Sequence, residues 1–137
     1  MNRRSLREQV FKLLFRVEFN PAEELEEQCC LFFEHEELQM SSQDEEFIRT
    51  RFSCIREKLE EIDALINQKT RGWTTGRMGK VDLAIIRLAI YEMKYDGAIP
   101  EGVAINEAVE LAKKFGQEES AGFVNGVLAN FVESKQD

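Results

Sequence analysis

Five basic residues fall within the first sixteen positions, Arg3, Arg4, Arg7, Lys12 and Arg16, and only Glu8 opposes them there. At helical spacing, Arg4, Arg7, Phe11 and Phe15 share one stripe, in steps of three, four and four. Guanidinium groups present forked donors to phosphate and stack on unpaired bases, so arginines interleaved with phenylalanines suit single-stranded RNA. The stripe also lies beside the core-facing positions Leu6, Val10 and Leu13. A solvated N-terminus whose phenylalanines widen the core therefore remains the other reading of the same residues.

Catalytic chemistry finds fewer candidates. His35 is the single histidine, and its helical neighbours Leu31, Phe32, Leu38 and Gln39 offer no second metal ligand. Glu34, Glu36 and Glu37 point around the helix rather than to one side. Cys29-Cys30 lacks CxxC spacing and has no basic residue nearby in sequence to lower a thiol pKa. No glycine-rich phosphate loop joins a strand to a helix, and no nucleophile has a histidine to serve as its base. The residues predict no enzyme, no metal and no cofactor.

The elements that must position the arginines are helices. Leu6, Val10, Leu13, Leu14 and Val17 predict a first helix over about residues 4–19. Asn20-Pro21-Ala22-Glu23 reads as a restart, with Asn20 as the cap and Pro21 in the first turn. Ala22, Leu25, Cys29, Phe32 and Phe33 then form one apolar face. Ser42-Gln43-Asp44-Glu45 is a capping-box pattern, followed by the stripe Ile48, Phe52, Ile55, Leu59, Ile62 and Ile66, a core-facing helix that stops near Lys69. Residues 70–79 hold Gly72, Gly76 and Gly79 around Trp73, which suggests a hinge between an N-terminal half, 1–69, and a C-terminal half, 80–137, with Trp73 anchored by burial. A fourth helix runs from Lys80 to about Tyr95, with Val81, Ile85, Leu88, Ala89 and Met93 inward. A fifth covers Val103 to Phe115 and ends at Gly116, a residue suited to a left-handed helix terminus. The last spans Ser120 to about Val132.

Composition fits a single all-α domain of 137 residues, 43% of them hydrophobic and 32% charged. No apolar run approaches the roughly 18 residues needed to span a bilayer, and no signal peptide is evident, so a cytoplasmic location without membrane contact is expected. Three cysteines, two of them adjacent, suggest no disulfide framework. The net charge of −8 argues against a general nucleic-acid binder, but the charge is segregated: residues 17–48 hold eleven Asp or Glu and no Lys or Arg.

The second half carries a longer signal. Val103-Ala104-Ile105-Asn106-Glu107-Ala108-Val109-Glu110-Leu111-Ala112-Lys113-Lys114-Phe115-Gly116, then Ser120 and Phe123-Val124-Asn125-Gly126-Val127-Leu128, closely resembles the signature of the NusB family. Trp73, Arg77-Met78-Gly79-Lys80-Val81-Asp82, Ile86-Arg87-Leu88-Ala89-Ile90-Tyr91-Glu92-Met93 and Ile99-Pro100 match it upstream, in order and spacing. The resemblance implies a NusB-like all-α fold, two small helical subdomains packed into one compact domain. It implies a bacterial transcription antitermination factor that binds the boxA element of ribosomal RNA leader transcripts together with a NusE-like ribosomal protein, in the service of the RNA polymerase elongation complex.

Carried over residue by residue, the resemblance assigns RNA contacts to Arg3, Arg4 and Arg7, and to Lys113, Lys114, Phe115, Glu119 and Phe123. It assigns the protein partner to Phe15 and Asp82. Ser5 interrupts an arginine run that is often longer in the family, and Gly76 stands where a larger residue is usual. Asn106, Asn125, Gly122 and Gly126 admit two readings: buried ties and close approaches between helices, or direct RNA contacts. Two rival functions remain, a helical oligomerisation module such as a homodimer, and an RNA-binding subunit serving an RNA methyltransferase.

Overall fold

Six α-helices, and no strand, form among the described residues: α1 Arg3–Arg16, α2 Leu25–Glu34, α3 Ser42–Lys69, α4 Lys80–Tyr95, α5 Glu101–Phe115 and α6 Ser120–Ala129. The structure, a computed structural model, describes residues 1–34, 40–70 and 72–133. His35, Glu36 and Glu37, weighed above as metal ligands, lie outside the described residues. The chain divides into two compact units, Met1–Glu57 and Lys58–Asp137. The boundary falls inside α3, whose final turns belong to the second unit.

In the first unit, Val10, Phe11, Leu13 and Leu14 of α1 are buried, as are Leu25, Cys29 and Phe32 of α2. The polypeptide leaves α1 through a tight 3-10 turn, Val17–Phe19. Asn20 does not cap the next helix as its position suggested. Its side-chain amide donates back to the Arg16 carbonyl at 2.9 Å, satisfying an acceptor that the end of α1 leaves open. Arg16 then ties α1 to α2, donating to Gln28 Oε1 at 2.8 Å and lying 5.5 Å from the Phe32 ring centroid.

The capping box opening α3 sits one residue earlier than Ser42–Glu45. Ser41 Oγ accepts from the Asp44 N–H at 3.0 Å, and the Asp44 carboxylate accepts from the Ser41 N–H at 3.4 Å. Two donors are thereby satisfied reciprocally. Hydrogen bonds from the N-terminal amine and from Ser41 hold the Asp44 carboxyl below its ordinary pKa. Along α3, Ile48, Phe52, Ile55, Ile62 and Ile66 of the expected stripe are buried, while Leu59 is only half-buried.

The second unit is organised around α4, which packs against α5 and α6. Eight consecutive residues, Leu83 to Ile90, are buried, so the helix is covered on nearly every side and not only along the predicted stripe. Val81 and Met93, expected inward, are only half-buried. Ala104, Ala108, Leu111 and Ala112 on α5 and Ser120, Val124, Val127 and Leu128 on α6 are also buried, with Phe131 beyond them. α5 starts earlier than Val103 because Pro100 serves as its N-cap, and α6 ends before Val132, where the Asn130 amide donates to the Gly126 and Val127 carbonyls.

Within the apolar sleeve of α4 sits a cation. The Arg87 side chain is 10% exposed and forms a two-point bridge to Asp63 of α3, Nε to Oδ1 at 2.9 Å and Nη2 to Oδ2 at 2.8 Å. The guanidinium fork matches both carboxylate oxygens, which offsets the cost of taking the charge from water. Asp63→Ala leaves Arg87 buried without that carboxylate and is expected to destabilise the protein by about 3 kcal/mol. Replacing both residues with aliphatic ones should recover much of this. Urea denaturation of the single and double variants measures it, and unchanged midpoints in both singles would show that the bridge contributes nothing.

Candidate nucleic-acid interface

Helix α5 ends in a basic turn. Lys113 and Lys114 stand exposed in its last turn, where positive charge complements the partial negative charge of the helix C-terminus. Lys113 Nζ lies 3.6 Å from the Glu110 carboxylate, an exposed pair one turn apart, and Lys114 Nζ lies 5.4 Å from the Phe115 ring centroid. Phe115 is half-buried. A cation beside an accessible ring is a pairing that serves both phosphate and base.

The chain reverses between α5 and α6 at Gly116, whose role differs from the expected left-handed terminus. Its φ is −93° and ψ −168°, an extended conformation open to any residue. Crowding selects glycine here. A Cβ at this position would lie 2.6 Å from both Cβ and Oγ of Ser120 and 2.8 Å from the Ala112 carbonyl oxygen. Ser120 cannot easily move aside, since it is buried and its Oγ accepts from the Gln117 N–H at 2.9 Å. This close turn sets Lys113, Lys114 and Phe115 near Glu119 and Phe123 along the chain path. Glu119 is the exposed N-cap residue of α6, with an acceptor carboxylate for base N–H groups, and Phe123 is a half-buried ring one turn further on.

Phe123 has a neighbour that sequence reasoning placed elsewhere. Trp73, expected to be buried as a hinge anchor, is 42% exposed. Its ring meets Phe123 edge to face, centroids 5.0 Å apart at 69°. What holds this segment is Thr70 instead: buried, with its hydroxyl 2.7 Å from the Ile66 carbonyl and 2.5 Å from that of Trp73. Gly72, at φ 77°, is the one described residue in the left-handed region.

The second set of assigned RNA residues lies on α1 in the first unit. Arg3 and Arg4 are exposed and Arg7 is half-buried, while Phe11 on the same stripe is 3% exposed. The stripe therefore divides, from an exposed Arg4 through a half-buried Arg7 to Phe11 in the core. Phe15, assigned to the protein partner, is half-buried and contacts both Phe11 and the exposed Phe19, at centroid distances of 6.4 and 5.0 Å. Asp82, also assigned to the partner, is half-buried in the first turn of α4, where its charge favours the helix N-terminus.

Asn106 and Asn125 are exposed, so neither is the buried inter-helix tie considered above. Gly122 and Gly126 are exposed with open space where a Cβ would stand, so neither admits a close helix approach. Cys29 does meet a cation that its sequence neighbours do not supply: Arg49 Nη1 lies 3.7 Å from its sulfur. Burial outweighs that charge and pushes the thiol pKa up, the opposite of nucleophile activation. Among the described residues no cluster of three or more His, Cys, Asp or Glu is placed to hold a metal ion, and no helix is long and apolar enough to cross a membrane.

The NusB family model matches residues 4–133 of the chain. The transcription antitermination protein NusB of Agathobacter rectalis is 55% identical over 133 residues, covering 96% of this chain and 100% of the relative. Among solved structures, NusB of T. maritima superposes with a TM-score of 0.82 at 38% identity, covering 94% of this chain and 89% of that one. A crystal structure of antitermination factors NusB and NusE in complex with dsRNA gives a TM-score of 0.73 at 26% identity, covering 93% and 92%. The turn after α5 lies inside the span that the family model matches. Gly116→Ala should cost roughly 1–3 kcal/mol through overpacking against Ser120. Thermal unfolding followed by circular dichroism checks this, and a melting temperature equal to wild type would mean that the turn relaxes without strain.

Proposed function

The chain belongs to the NusB family, and from that premise we propose that it is a non-catalytic RNA-binding factor in transcription antitermination. It holds boxA-like single-stranded leader RNA together with a NusE-like ribosomal protein and presents both to the RNA polymerase elongation complex, in the cytoplasm. The observation that carries the reading is the family match over residues 4–133, a span that includes the exposed Lys113 and Lys114 and the half-buried Phe115. The solved complex of antitermination factors NusB and NusE with dsRNA supports RNA and a NusE-like protein as partners, while the single-stranded form of the RNA rests on the family resemblance.

Each assigned residue has a chemical role in this reading. Arg3, Arg4 and Arg7 hold phosphates along α1. Lys113 and Lys114 do the same at the end of α5, Phe115 and Phe123 stack on unpaired bases, and the Glu119 carboxylate accepts from base amino groups. Phe15 and Asp82 belong to the protein partner's surface. A chain of net charge −8 holds RNA weakly by itself, because phosphate neutralisation supplies much of such affinity. A basic ribosomal protein relieves that repulsion and lengthens the positive track.

Replacing Arg3, Arg4 and Arg7 together by Ala should weaken binding of boxA-like RNA, with stability moving by about 0.5 kcal/mol or less at the exposed Arg3 and Arg4. With roughly three phosphates no longer neutralised by the protein, the log–log salt slope should flatten by about 2. A labelled-RNA titration across salt concentrations measures both, with a duplex of the same sequence as comparison. If affinity and slope hold their wild-type values, the arginines are a solvated terminus only.

Asp82→Lys should oppose docking of the basic partner, since a like charge replaces an attractive one. Its cost to α4 is about 0.3–1 kcal/mol, from the missing interaction with the helix dipole. Affinity for RNA alone should persist, while the gain in RNA affinity on adding NusE shrinks, as linkage requires. RNA titrations of wild type and variant, each with and without NusE, read this directly. A full gain in the variant would place the partner elsewhere.

A further inference from the structure

Trp73 is the one tryptophan of the chain, and its position is unusual for an aromatic that merely fills space. A tryptophan that anchors a connection gains most by burying its large apolar ring, yet 42% of this residue faces solvent. The fold nevertheless fixes it. Thr70 is within hydrogen-bonding distance of its carbonyl, and Arg77 Nη1 donates to the Gly72 carbonyl at 2.7 Å while its guanidinium carbon lies 5.6 Å from the indole centroid. Phe123, half-buried at the start of α6, holds the ring edge to face at 5.0 Å. The result is an ordered, solvent-facing indole with a cation beside it, in direct contact with a ring already assigned to RNA.

We propose that Trp73, held by Arg77 and Phe123, is a stacking platform for an unpaired RNA base, extending the track of the α5–α6 turn into the segment between α3 and α4. Every base has a π-face, so such a platform is tolerant of sequence, and the neighbouring guanidinium serves the stacked base or its phosphate. The inference rests on the RNA-binding reading above and adds to it a residue pair outside the two assigned patches. It also supplies a reason for the exposed Trp73 that hinge anchoring lacks.

The single tryptophan makes the test direct. Full-length protein is titrated with a short single-stranded boxA-like RNA and with an abasic oligomer of equal length and charge, while Trp73 emission is followed. The RNA should quench the emission along the same isotherm that labelled RNA gives, and the abasic oligomer should leave it nearly unchanged. Trp73→Leu should weaken RNA binding by about tenfold, whereas Trp73→Phe retains most of the affinity. Should Trp73→Leu fail to fold, the emission arm with wild-type protein still decides. If RNA binding is lost in Phe123→Leu but Trp73 emission and the affinity of Trp73→Leu stay at wild-type values, the platform is overturned and the RNA track stands. Equal quenching by the abasic oligomer overturns stacking in favour of charge alone. No RNA binding by the wild-type protein overturns the parent reading and this one together.

Discussion

The Arg87–Asp63 bridge is the constraint on which the second unit depends. Eight successive residues of α4 are buried, and a helix so covered has no solvent face on which to put a charge. Arg87 lies in the middle of that run. Its five N–H donors must therefore find protein acceptors, and a carboxylate meeting the guanidinium fork at two points is the arrangement with the least residual cost. Because Asp63 belongs to α3, the bridge fixes the rotation and height of α4 against the final turns of α3. A slide of one residue along either helix would leave a buried cation without its partner.

From that fixed α4 the remaining helices follow with little freedom. Alanines at 104, 108 and 112 give α5 a small-residue face, which suits a helix packed closely on a large neighbour. The turn at Gly116 then admits no side chain of its own, because Ser120 and the Ala112 carbonyl occupy the space. Tight reversal has a chemical consequence. It leaves two lysines, a phenylalanine and a glutamate at one end of the helix pair, outward and closely grouped in sequence, on a scaffold that does not need them for its core. The residues proposed to meet RNA thus sit on a part of the unit that its core does not need.

The first unit shows the same separation by other means. Its cations near α2 are occupied structurally: Arg16 with Gln28 and Phe32, Arg49 with Glu45 and Phe33, Arg56 with Glu26. Arg3 and Arg4 are exposed at the start of α1, where positive charge opposes the helix dipole. The acidic stretch that follows α1 keeps the whole chain at −8, which limits RNA affinity and leaves a surface attractive to a basic protein.

Local features were legible along the chain. The stripe from Ile48 to Ile66, the apolar run of α4 and the ends near Gly79, Tyr95 and Phe115 could all be read because helical period and chain punctuation act within a few residues. The family motifs were legible too, as an ordered string of residue types, and with them the candidate RNA turn. Capping was legible only in kind: the box at the start of α3 is real but begins at Ser41, and Asn20 caps backward onto Arg16 because the closing 3-10 turn brings that carbonyl within its reach. Packing in three dimensions settled the rest. It paired Arg87 with Asp63 across 24 residues, left Trp73 exposed against Phe123, buried Phe11 while Arg4 stayed in water, and made Gly116 a matter of crowding rather than of backbone angle. Each of these depends on what lies opposite a residue in space, which periodicity along one helix cannot encode.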